Sequence, residues 1–163
     1  TFELLMTLPM RSSEVMLGKF AAAMVFYLVA LAGTLPVVIM INALGNPDGG
    51  AIFSGYIGAV LVGGLYMAAG MFASSLMRDQ ISAFILGMVA CFVLFPWGIP
   101  QVVATLDGWF PGLGAFLQNA VGLTTHFSQM VRGVLELGDL VYFLGLTAVF
   151  LALNNYWLEG RKY

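Results

Sequence analysis

The chain has 163 residues, of which 61% are hydrophobic and only 9% charged, against roughly 25% charged in soluble globular proteins. That leaves too little polar surface to coat a particle of this size in water, so a water-soluble fold is excluded and lipid is the solvent for most of it. Six Lys and Arg scattered through a chain of net charge -2 make no basic patch, which excludes a nucleic-acid partner.

In residues 1–9, Phe2, Leu4, Leu5, Met6 and Leu8 stand beside Glu3 and the two threonines Thr1 and Thr7, and Pro9 closes the segment ahead of Arg11. The pattern predicts a short amphipathic helix on the cytoplasmic side. Periodicity alone leaves two roles open for it: resting among lipid headgroups, or protruding to be gripped by a cytoplasmic partner. The chain opens without an initiator Met, and its first apolar run is too long for the core of a signal peptide, so the sequence reads as the C-terminal part of something longer.

Ser12 and Ser13 can cap the next helix, whose first turn carries Glu14, a charge suited to the positive end of the helix dipole. That helix runs through Lys19 into a first apolar stretch. A crossing needs about 20 apolar residues, and four stretches without Asp, Glu, Lys or Arg qualify: 20–41, 51–77, 80–99 and 140–158. They are apolar on every side rather than alternating, which indicates helices and not barrel strands. Gly45, Asn46, Pro47, Asp48 and Gly49 form a polar turn between the first two, Asp79 can cap the third, and Gly138 with Asp139 opens the fourth. On the second stretch Gly55, Ala59 and Gly63 recur every fourth residue beside Gly64 and Ala68. One face is thus nearly bare of side-chain bulk, suited to close helix packing or to a substrate groove.

Residues 100–139 are less regular. The interval 108–131 also lacks Asp, Glu, Lys and Arg, yet it carries Pro111, Gln118, Asn119, His126 and Gln129. We read it as short helices at the membrane surface or partly re-entering it, with Trp97, Trp109 and Phe110 at headgroup level and Pro96, Pro100 and Pro111 interrupting any continuous span. Charge bias agrees. With four spans, Arg11, Lys19, Arg78, Arg161 and Lys162 fall on one side and Arg132 alone on the other, which makes the former side, and both chain ends, cytoplasmic.

The expected fold is therefore all-α: a polytopic transmembrane helix bundle of four spans, one domain over residues 1–163, with an N-terminal amphipathic helix and short outer interfacial helices. The apolar stretches hold no ion-pairing residue of the kind that ion-coupled carriers keep at depth. No phosphate loop is present, since Gly18-Lys19 is preceded by Ser13 where the loop needs Gly and followed by Phe20. No metal-ligand cluster or nucleophile elbow accompanies the single His126 and single Cys91, so neither an enzyme nor a bound cofactor is expected. His126 reads as a polar residue at the outer surface, and Cys91 as a small buried hydrophobe.

Thr-Phe-Glu-Leu-Leu-Met-Thr-Leu-Pro at 1–9 with Glu14-Val-Met-Leu-Gly-Lys19-Phe20, the stretch 70–87 (Gly-Met-Phe-Ala-Ser-Ser-Leu-Met-Arg-Asp-Gln-Ile-Ser-Ala-Phe-Ile-Leu-Gly), and the segments 127–133, 139–143 and 158–163 resemble the type-2 ABC exporter permeases, including those associated with bacterial gliding motility. The resemblance implies six spans in the whole protein, with two N-terminal helices absent here and the four stretches corresponding to the third through sixth. It implies that Glu3, Leu4, Leu5, Thr7, Leu8 and Pro9 belong to a coupling helix seated on a separate ATP-binding-cassette ATPase subunit. A second permease copy or homologue completes the expected dimer, in the bacterial cytoplasmic membrane. The expected function is thus the permease subunit of an exporter of unidentified cargo; the alternative is a non-transporting membrane anchor of a motility or secretion complex.

Overall fold

The computed structural model describes residues 12–96 and 99–160, and among them every regular element is a helix. In chain order these are α1 (Ser12–Ala32), α2 (Leu35–Leu44), α3 (Gly49–Leu76), α4 (Gln80–Leu94), α5 (Pro100–Trp109), α6 (Leu113–Val121), α7 (Leu123–Val131) and α8 (Leu137–Gly160). The amphipathic segment 1–9 lies outside the described residues.

Among the described residues three helical stretches are long and apolar enough to cross a membrane: Ser13–Leu44, Gly49–Leu76 and Leu137–Gly160. The stretch expected at 80–99 is shorter as a helix. α4 has 15 residues, which at 1.5 Å per residue makes about 22 Å against the ~30 Å of a hydrocarbon core. Pro96, with no N–H to extend the hydrogen-bond ladder, follows its end, and Pro100 opens α5. Residues 108–131 form short helices, as their prolines and glycines imply.

The helix ends follow local chemistry. Glu14 sits in the first turn of α1. Asp48 caps α3 by accepting from the Gly50 N–H at 2.9 Å, and Asp79 caps α4 by accepting from the Ser82 N–H at 2.8 Å. α7 ends in a Schellman turn, with Gly133 at φ 86° donating to Met130 O at 3.0 Å and Val134 donating to Gln129 O at 3.2 Å; the left-handed backbone there is why the residue is glycine. Between α1 and α2 the ladder tightens to Thr34 N–H on Leu31 O at 3.0 Å and Val37 N–H on Thr34 O at 3.0 Å, with Pro36 contributing no donor. The Thr34 and Tyr56 hydroxyls, 2.6 Å apart, hold this joint to α3.

α3 is the axis of the bundle. α1 runs antiparallel to it, Tyr27 lying beside Ala59 and Gly63 and Met24 beside Gly64. α8 runs parallel: Leu65 and Phe143 share the buried core, and Phe72 and Phe150, each two turns further on, stand with ring centroids 6.2 Å apart. α7 closes one end, bringing Leu123 and Met130 into the same core. The start of α3, the end of α7 and the start of α8 therefore meet at one end of the bundle, while Lys19, Arg78, Asp79 and Glu159 lie toward the other.

Candidate functional site

Two sets of residues stand out, a small-residue contact face on α3 and a polar cluster where α7 meets α8. On the face, Gly63 is pressed so close to the Tyr27 ring that a methyl group there would overlap it. The Tyr27 hydroxyl donates to Ala59 O at 2.8 Å, Gly64 faces Met24, and Ala68 has no exposed surface. Gly55 differs, with nothing within 4 Å of the place its Cβ would occupy. The close-approach surface also extends to residues outside the every-fourth pattern: a Cβ placed on Gly58 would come within 3.1–3.2 Å of Met130 and Phe127 of α7, and Ala69 and Ala73 are buried. Ser54 donates to Met130 O at 2.6 Å, so the end of α7 is tied to α3 by a side chain that the spacing of Gly and Ala did not single out.

The polar cluster is built by Asp139, His126 and Tyr142. The helix that the sequence starts near Gly138 begins one residue earlier, at Leu137, which turns Asp139 inward in the first turn of α8 rather than leaving it as a cap. Its side chain is 3% exposed, and its Oδ1 lies 2.5 Å from His126 Nδ1. The imidazole is thus not simply a surface group. Its edge meets the carboxylate, its face stacks on Tyr142 with centroids 4.3 Å apart and 23° between planes, and the edge-on ring of Phe143 lies 6.5 Å away. A carboxylate only accepts hydrogen bonds, so one proton sits between Nδ1 and Oδ1. Asp139 Oδ2 and the Tyr142 hydroxyl are buried with no hydrogen-bond partner. Burying a carboxylate costs several kcal/mol of hydration unless a counter-charge and hydrogen bonds replace it, and His126 supplies one such contact.

The sequence carried a signal for this pair. His126 is the chain's sole histidine and Asp139 one of only eight acids, and an ionisable group beside a membrane-length helix calls for a partner. Their separation of 13 residues spans a turn between two helices, which no helical periodicity links.

Toward the other end of α8, Asn154 is 2% exposed and its Oδ1 has no partner, so its amide is buried within the fold. Between α3 and α4 lies an open groove of about 480 Å³, lined by Gly70, Ser74, Ala83 and Gly87 with Gln80 at one end. Among the described residues no three His, Cys, Asp or Glu are placed to share a metal ion. Glu3, Leu4, Leu5, Thr7, Leu8 and Pro9 lie outside the described residues. No family model, curated protein or solved structure matches the chain.

Proposed function

We propose that the chain is the membrane-embedded permease part of an ATP-binding-cassette exporter, moving an unidentified substrate with ATP hydrolysed on a separate subunit. The sequence motifs at 1–20 and 70–87 suggest this reading, and one observation of the fold supports it. The stretch Ser13–Leu44 holds the most apolar window of the three, with a mean hydropathy of 2.4, yet no residue of that window is buried within the described fold, and of the whole stretch only Met16 is. An apolar span this bare is suited to face lipid or a second permease copy, and it continues directly from the segment that would serve as the coupling helix. In this reading α4 with its continuation makes a fourth crossing, residues 100–136 form the outer segment, and both ends are cytoplasmic in a bacterial inner membrane.

Mechanistically, two ATPases closing on ATP would push on Glu3 to Pro9, and α1 would carry the displacement along α3. ATP can drive such a change only by stabilising one arrangement of the helices over the other. The test is reconstitution of the full-length protein with its ATPase in vesicles. Glu3→Arg and Leu5→Asp are expected to leave ATP hydrolysis running while abolishing its coupling to transport, with the protein still in the membrane. Cysteines at positions 3 and 5 that never crosslink to an ATPase would overturn the proposal, and a complex that assembles in the membrane but moves no substrate when ATP is supplied would favour the membrane-anchor alternative.

A further inference from the structure

The structure places a titratable pair at a helix junction that the exporter reading does not use. We infer that His126 and Asp139 form a proton-binding site that latches α7 onto the start of α8, holding the contact when the pair is protonated and loosening it when the proton leaves. This stands on the local geometry alone and is independent of whether the chain works with an ATPase.

Four observations carry it. The contact is short, 2.5 Å between Nδ1 and Oδ1, and joins two different helices across a turn. The carboxylate is the buried member and the imidazole the accessible one, with side chains 3% and 25% exposed; a proton can therefore reach the pair through the imidazole from outside the core. The second carboxylate oxygen has no partner. Among the described residues the groups found against the pair are uncharged apart from its own members: on α8 Asp139 meets the imidazole edge and the phenol of Tyr142 its face, α7 has no other ionisable residue, α3 presents Ser54 and Gly58 to α7, and at the end of α4 the Phe95 carbonyl meets Thr124.

Imidazole is the side chain whose charge ordinarily changes between about pH 5 and 8. When His126 carries two protons, the pair is an imidazolium against a carboxylate, and the buried negative charge is compensated. When one proton departs to water, the Nδ1–H bond can persist, but the carboxylate is left as an uncompensated buried charge, an arrangement that favours separation of the two helices and hydration of Asp139. Proton binding and closure of the junction thus favour each other. The contact is strongest on the acid side and weakens as pH rises.

Because His126 is the only histidine among these 163 residues, ¹⁵N-histidine labelling of this chain reports its charge state without assignment. In the chain in lipid nanodiscs, the imidazole signals are expected to report loss of a proton as pH is carried across a range from acid to alkaline. Amide exchange of Leu123–Val131, corrected for intrinsic rates, is expected to rise at least tenfold over the same range, while Gly58–Ala73 of α3 stays protected. Asp139→Asn and His126→Gln should each reduce the tenfold response to less than twofold, with unchanged helical circular dichroism; His126→Phe serves as a second, apolar replacement should His126→Gln fold poorly. An imidazole that keeps one charge state across the range overturns the proton site. One that changes charge while α7 exchange stays flat overturns the latch.

Discussion

The stretches Ser13–Leu44 and Gly49–Leu76 are both long enough to cross a membrane, yet the more apolar is the less buried: at mean hydropathies of 2.4 and 1.7, 0% and 33% of their most apolar windows lie inside the fold. The lipid tails explain the inversion. Within a bilayer an apolar side chain gains little by leaving lipid for protein, so association depends on close backbone approach and on buried polar groups rather than on hydrophobicity. Gly49–Leu76 supplies both, through Gly58, Gly63, Gly64, Ala68 and the hydroxyl of Ser54. Ser13–Leu44 meets it chiefly through Phe20, Met24 and Tyr27, and elsewhere exposes large side chains such as Phe26, Val29 and Ile39.

The comparison breaks most visibly if bulk is placed where the two stretches touch. Gly63→Leu has to displace the Tyr27 ring and is expected to cost about 1–3 kcal/mol, the range for overpacking. Gly55→Leu, on the same helix but facing open space, should cost far less. Thermal unfolding of both variants in one detergent is the measurement, and equal losses would show that α1 does not rest on Gly63. Next in size is Ser54→Ala, which removes the 2.6 Å bond to Met130 O from a buried site; about 1 kcal/mol is expected, with faster amide exchange at the end of α7. Tyr27→Phe tests the polar part of the α1–α3 contact. It should cost about 0.6 kcal/mol, because Ala59 O lies within a helix and keeps its backbone donor.

The smallest expected effect lies outside the seam. The Ser82 backbone N–H, and then the Ser82 side chain, hold the Asp79 carboxyl below the usual carboxylate range. A carboxylate favoured in the folded state stabilises it above its unfolded titration and ceases to do so as pH falls through the lowered folded one. Asp79→Ala should therefore fray only the first turn of α4 at neutral pH, seen as faster exchange of the Ser82 and Ala83 amides. The gap from the unaltered protein should close as the solution is acidified below the usual carboxylate range.

Much of this architecture is legible in the residues because it is local. Asp79, Glu14 and the polar turn around Asp48 mark helix ends by chemistry that acts within a few residues, and uninterrupted apolar runs mark the three long stretches. What escaped was decided across the bundle. Gly55 belongs to the same four-residue repeat as Gly63, but only the path of α1 determines which of them is covered. Gly58 sits outside that repeat and is buried because α7 folds back over it. His126 and Asp139 fall on separate helices, and their encounter depends on the Schellman turn at Gly133 and on α8 starting early enough to aim Asp139 inward. The end of α4 was masked for a different reason: hydropathy continues smoothly past Leu94, whereas the backbone cannot continue its ladder through Pro96.

The joint between α1 and α2 divides one membrane-length stretch into two bodies. Below it, an unbroken ladder from Ser12 to Ala32 makes a stiff rod seated on α3 at Tyr27; above it, Leu35–Leu44 is fastened by little more than the Thr34 and Tyr56 hydroxyls. A displacement entering at Ser12 would travel along the rod with little loss and spend itself at Gly33 and Thr34. The last ten residues could then keep their station in the surrounding lipid while the lower part pivots beneath them.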